Sequence, residues 1–431
     1  MFLILTQLSF LLLTASGWGW WLHRFLFRKV TLSARGLLLC FGAGFCLQLV
    51  PLTNLMYLDF SIRQTFWIPA AVGVAGLAHC WLHRQEVPRF CPRDIRELKW
   101  AAGIFAAVFV LQGVSLFHDG PFDYYGAAFQ DHVSYVSLAQ WMVDRPYSIL
   151  SAGTEPWLLK AITLKWHRPG QSVAQAYLAA GTFGDAKEVF GTLSTFFIAI
   201  FGVMTYLVAR SLSMSRPASA TAALWAALSP GATKVHLFGF LSQASTLFAL
   251  PALVLSVRMP GRELWRRMTL PGIFLSYVFI CYTEFFPFAV IILVALLLTL
   301  PPQPFRARAL VAAGALFIGV LLVPPYLPHV GTFMFRQLEI AAAPNVNLDG
   351  FSPFAGSVYG WAADLLAVPA LASPADFRIM TILGYLLLIA VASAYFSISM
   401  RRRMWLAALV AAPMLGLFAM GSSAEFSRYG F

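Results

Sequence analysis

The chain has 431 residues, of which 59% are hydrophobic and only 11% charged, whereas soluble domains carry about 25% charged residues. That balance excludes an ordinary soluble domain and points to an all-α polytopic membrane protein; several apolar runs reach the roughly 18–20 residues that a bilayer crossing needs. The formal net charge is +12, but the basic residues are spread through short loops rather than gathered on one face, which argues against nucleic acid as a partner.

In chain order, the apolar segments cover about 3–22, 36–56, 65–82 and 100–117, then 189–209, 217–229 and 237–257. The first has no basic flank or small-residue cleavage site, so it reads as a span rather than a signal peptide. The run 270–300 is too long for one crossing at about 1.5 Å per residue, and it carries Tyr282-Thr283-Glu284 and Pro287 in its middle. A carboxylate at the bilayer midplane is costly, so this run reads as a tight hairpin with Glu284 at the turn. Spans over about 310–327, 377–400 and 405–420 bring the expected number to about 12.

The loop charges agree with that count. With the N-terminus outside, the inner loops carry 20 Lys and Arg and 4 Asp and Glu, against 9 and 14 in the outer stretches. Positive loops stay inside, so the two long loops, 118–188 and 329–376, and Glu284 fall on the extracytoplasmic side. The five cysteines, Cys40, Cys46, Cys80, Cys91 and Cys281, lack metal-ligand spacing with histidine and read as small apolar side chains.

The first long loop is the main polar interval. Two amphipathic helices are expected in it, over about 128–142 and 171–180, lying along the membrane surface. Asp131 opens the first helix and is a candidate general base for removing a proton from an acceptor hydroxyl; the bland alternative is a helix cap. His132 adjoins it, and Tyr135, one turn on, is placed to orient the carboxylate. Lys160, Lys165, His167 and Arg168 form a candidate phosphate clamp, or else simply sit at anionic headgroups. Lys234, His236 and Arg336, in other outer segments, are candidates for the same clamp. Glu284 is a functional candidate, flanked by aromatic residues; the alternative is a solvated turn residue. No HExxH, DxD or phosphate-cradling glycine loop is present, so no cofactor is expected, and a divalent cation between Asp131 and Glu284 has no support beyond two oxygen donors.

The layout resembles the GT-C glycosyltransferases. A span at 100–117 precedes a large outer loop with an acidic residue near its start, and further spans and a second outer loop follow. Asp131-His132, Tyr135 and Leu138-Ala139 carry the most specific likeness, and Tyr282-Thr283-Glu284 a weaker one. Gln130-Asp131 stands where the family usually has paired acids, and three extra spans precede the module. The resemblance implies a three-span extension over 1–99, a GT-C-like module over 100–328, and a second outer loop with two spans over 329–431. It also implies a polyprenyl-phosphate sugar donor, a lipid or glycan acceptor, Asp131 as base with Glu284 assisting, and a bacterial inner membrane with the site facing the periplasm. The rival expectations are a transporter or lipid flippase and a non-catalytic GT-C-like scaffold.

Overall fold

A computed structural model describes residues 1–27, 33–83, 91–120, 130–146, 168–237, 241–258, 263–299 and 304–341. Among the described residues all regular structure is helical. Among the described residues five helices are long and apolar enough to cross a membrane: Phe2–Phe27, Ala34–Tyr57, Ile62–Leu82, Ala186–Ser211 and Leu241–Arg258. A sixth is reached if Phe305–Leu321 and Pro324–Phe335, bent by 77°, form one span. The membrane character read from composition is therefore present. The expected spans over 377–400 and 405–420 and most of the second outer loop lie outside the described residues.

Helices α1 (Phe2–Phe27), α2 (Ala34–Tyr57), α3 (Ile62–Thr65) and α4 (Trp67–Leu82) open the chain. Ser33 caps α2 by accepting from the Gly36 amide at 3.1 Å, and Ser61 with Gln64 forms a capping box on α3. Apolar area drives little helix association where lipid is the competitor, so small residues that admit close backbone approach decide which faces meet. Gly17 of α1 is such a position: any Cβ there would overlap the Gly73 carbonyl of α4.

The next helices are α5 (Pro92–Gln112), α6 (Val114–Asp119), α7 (Gln130–Asp144), α8 (Pro169–Thr182) and α9 (Ala186–Ser211). Asp185 and Glu188 form the capping box of α9. At that end Gln7 reaches the Glu188 carbonyl at 3.3 Å and accepts from Thr192 at 2.6 Å. At the other end Glu97 of α5, only 3% exposed, accepts from Arg210 at 2.7 Å, Tyr206 at 2.7 Å and Arg216 at 3.1 Å. Burial alone would raise its pKa, but the hydrogen bonds from Arg210 and Tyr206 and the charges of Arg210 and Arg216 hold it down at about 2.

α10 (Arg216–Ala227), α11 (Pro230–Leu237), α12 (Leu241–Leu247) and α13 (Ala249–Arg258) follow, then α14 (Leu264–Cys281), a 3₁₀ turn at Thr283–Phe285, and α15 (Phe286–Thr299). α16 (Phe305–Leu321), a second 3₁₀ turn at Pro324–Tyr326, and α17 (Leu327–Ala341) complete the described chain. Met268 packs on Gly314 and Leu275 on Gly319, so α14 and α16 run parallel. The connecting α15 must then run antiparallel to both, so the chain turns back at Thr283–Phe285, although neither α14 nor α15 is among the five helices long and apolar enough to cross a membrane. The interior centres on Phe45 of α2, whose ring meets Phe196, Phe197, Phe248 and Tyr277 at 5.4–6.1 Å.

One expectation is corrected here. α8 does not lie on a surface: every residue from Pro169 to Ala180 is buried, and α8 packs against α7, α9, α2 and α14. Its alanines, glycines and single serine keep it thin on those sides, which lets it sit between larger helices. In α7, Tyr135, Leu138, Ala139, Met142 and Val143 are buried, while Asp144 is exposed.

Candidate functional site: a buried arginine at a helix break

Arg168, Pro169 and Gly170 open α8. Pro169 stands in the first turn, where its fixed φ suits the helix and its missing N–H costs nothing. Gly170 allows the backbone to approach the end of α14, because a Cβ there would lie 2.8 Å from Ile280 Cγ1 and 3.0 Å from the Cys281 nitrogen. That approach brings Arg168 to the 3₁₀ turn that interrupts α14 and α15.

The guanidinium of Arg168 is 14% exposed and the Glu284 carboxylate 23%. Nε donates to Oε2 at 3.1 Å and Nη2 donates to Oε1, so the contact is bidentate. Nη1 lies 3.5 Å from Ser242 Oγ, which also bonds the Tyr135 hydroxyl at 3.0 Å. The Tyr282 and Phe333 rings lie 5.0 and 5.8 Å from the guanidinium carbon, within cation–π range. Side chains from α7, α8, α12, α17 and the 3₁₀ region thus meet around one cation.

An Arg guanidinium has five N–H donors, and contacts among the described residues use three of them. Nearby, Gln171 Oε1, Ser172 Oγ and Gln243 Oε1 are buried with no hydrogen-bond partner among the described residues. Buried polar atoms are normally satisfied, so this region has polar capacity that the described protein groups do not use.

The other sequence candidates divide as follows. Asp131 and His132 lie in the first turn of α7, one turn before Tyr135, so Asp131 sits inside the helix rather than preceding it. Their side chains lie outside the described residues, as do those of Lys234 on α11 and Arg336 on α17. Lys160, Lys165 and His167 lie outside the description entirely. Tyr135 directs its hydroxyl to Ser242. His236 is fully buried, with Nε2 3.0 Å from the Gln112 carbonyl and Nδ1 2.8 Å from Ser194 Oγ. A carbonyl only accepts, so Nε2 carries the proton and Nδ1 accepts from the serine. Both ring nitrogens are engaged, and the ring joins α5, α9 and α11. No group of three or more His, Cys, Asp or Glu is placed to hold a metal among the described residues.

Ser242 and Phe333 were not candidates from sequence, since a serine in an apolar span and a phenylalanine in an apolar helix carry no signal of their own. Comparison of the chain with protein-family models, with characterised proteins and with solved structures finds no match.

Proposed function

We propose that the chain is a GT-C-type membrane glycosyltransferase of about 12 spans. It takes a sugar from a polyprenyl-phosphate donor on the extracytoplasmic side of a bacterial inner membrane. The observation that carries this reading is the Arg168 guanidinium, aimed by Glu284 and Ser242 into a buried region whose polar atoms are not all satisfied among the described residues. The sequence resemblance supplies the reaction class.

In this reading Asp131 removes the proton from an acceptor hydroxyl as its oxygen attacks the anomeric carbon. The bond from that carbon to the donor phosphate oxygen breaks, and the polyprenyl phosphate departs with the electron pair. Arg168 stabilises the charge developing on the leaving phosphate, and Glu284 acts through Arg168 as a positioning residue. Sharing a proton between Glu284 and Asp131 would require the ion pair to open. The test is glycan product formation in membranes containing Asp131→Asn or Asp131→Ala: product is lost at unchanged protein level, whereas retention in both variants removes Asp131 from the mechanism.

One observation favours a second reading, transport or lipid flipping. The two helix interruptions touch, with Thr283 Oγ1 2.6 Å from the Tyr326 hydroxyl, and paired helix breaks are a feature of transporter sites. Lipid movement across proteoliposomes that survives loss of product in Asp131→Asn would select it.

A further inference from the structure

At the end of the bundle opposite Glu284 there is a cavity of about 500 Å³, enclosed by α1, α2, α5, α9 and α13. Arg35, Arg93 and Arg258 line it, as do the apolar side chains of Phe27, Leu39 and Leu255. Its two carboxylates are already engaged. Asp94 accepts from the Ala34 amide at 3.0 Å and from Cys91 Sγ at 2.8 Å. Glu97 is held by Arg210, Arg216 and Tyr206. Among the described residues Arg258 reaches Ser211 Oγ at 3.3 Å through Nη1. Arg35 is half-buried and Arg93 exposed.

We infer that this cavity binds the phosphate of an anionic phospholipid headgroup, with the acyl chains leaving past Phe27, which is part-exposed. Three guanidinium groups around one hollow match a phosphate's several acceptor oxygens. An apolar wall beside them suits an amphiphile better than a free ion. Basic pockets between membrane helices on the side of the positive loops are where anionic headgroups bind, and Arg210 and Arg216, which hold Glu97, lie at this end too. The inference does not depend on the glycosyl-transfer reading.

The experiment uses the full chain in a neutral detergent, with the thermal unfolding midpoint followed as lipid is added. Phosphatidylglycerol, phosphatidylcholine and inorganic phosphate are titrated separately against wild type, Arg93→Gln and Arg35→Gln/Arg93→Gln. Ligand that binds the folded state stabilises it by an amount that grows logarithmically with the ratio of free ligand to Kd, so tighter binding raises the midpoint more at a given concentration. Phosphatidylglycerol stabilises wild type, the double variant binds it about tenfold more weakly or worse, and Arg93→Gln alone, at an exposed position, folds normally and shows an intermediate loss. Equal stabilisation by phosphatidylcholine overturns the inference, as does an equal response in Arg93→Gln and wild type. Inorganic phosphate matching phosphatidylglycerol also overturns it, because the lipid would then be dispensable.

Discussion

Removing both members of the Arg168–Glu284 pair should cost less than the sum of removing each one alone. Losing one partner of a fully buried ion pair typically costs about 3–5 kcal/mol, because the other charge is left uncompensated. Here Glu284 is 23% exposed and Arg168 14%, so water relieves part of the penalty and about 2–3 kcal/mol is expected for Arg168→Met or Glu284→Gln. The double variant places a thioether between the Tyr282 and Phe333 rings, which it suits, and removes both charges. It should be less destabilised than the two single variants added together, by about 1–3 kcal/mol. Equilibrium unfolding of the purified protein in mixed detergent–SDS micelles measures all four corners of this cycle. Additivity within about 0.5 kcal/mol would mean that the two groups do not act as a pair and would refute the geometry on which the site is built.

Further expectations concern packing and pH. Gly17→Ala drives a methyl into the Gly73 carbonyl and should destabilise by about 1–3 kcal/mol; a neutral effect in the same unfolding assay would mean that α1 and α4 cross elsewhere. Glu97 titrates near 2 in the folded chain instead of its ordinary 4.5, so its contribution is fully present above pH 4.5 and is lost as pH falls towards 2. The contribution is about 3 kcal/mol, and Glu97→Gln should remove that part of the acid destabilisation; an unchanged acid profile would refute it. His236 is pushed down to about 4 by burial, with the Gln112 carbonyl opposing. It should therefore lose stability as pH falls from about 6.5 towards 4; a flat stability profile between those values, or an identical one in His236→Asn, would contradict its neutral buried state.

The hairpin could be read from the sequence because length and a midpoint carboxylate leave few arrangements for 270–300, and the parallel course of α14 and α16 agrees with it. The membrane character was equally legible, being a matter of composition. The depth of α8 was not. Its polar Gln-Ser and Gln-Ala steps suggested an interface helix, and only the surrounding helices show that its small side chains fill a slot. Nor was the pairing of Arg168 with Glu284 visible, since 116 residues separate them and neither carries a local signal for the other. The role of Gly170 has no local signal, because it depends on the end of α14 arriving beside it. Glu97 was one acid within a basic loop, and its three partners come from later in the chain.

The central claim is that Arg168 holds the phosphate of a lipid-linked donor. Its most direct test is binding of a polyprenyl phosphate, and of the matching polyprenol without phosphate, to purified wild type and to Arg168→Met/Glu284→Gln. A hydrogen bond to a charged group is worth about 1.5–3 kcal/mol. Wild type should therefore prefer the phosphate by at least about tenfold, and the double variant should lose most of that preference. Equal affinity of wild type for both lipids, or an undiminished preference in the variant, would contradict it.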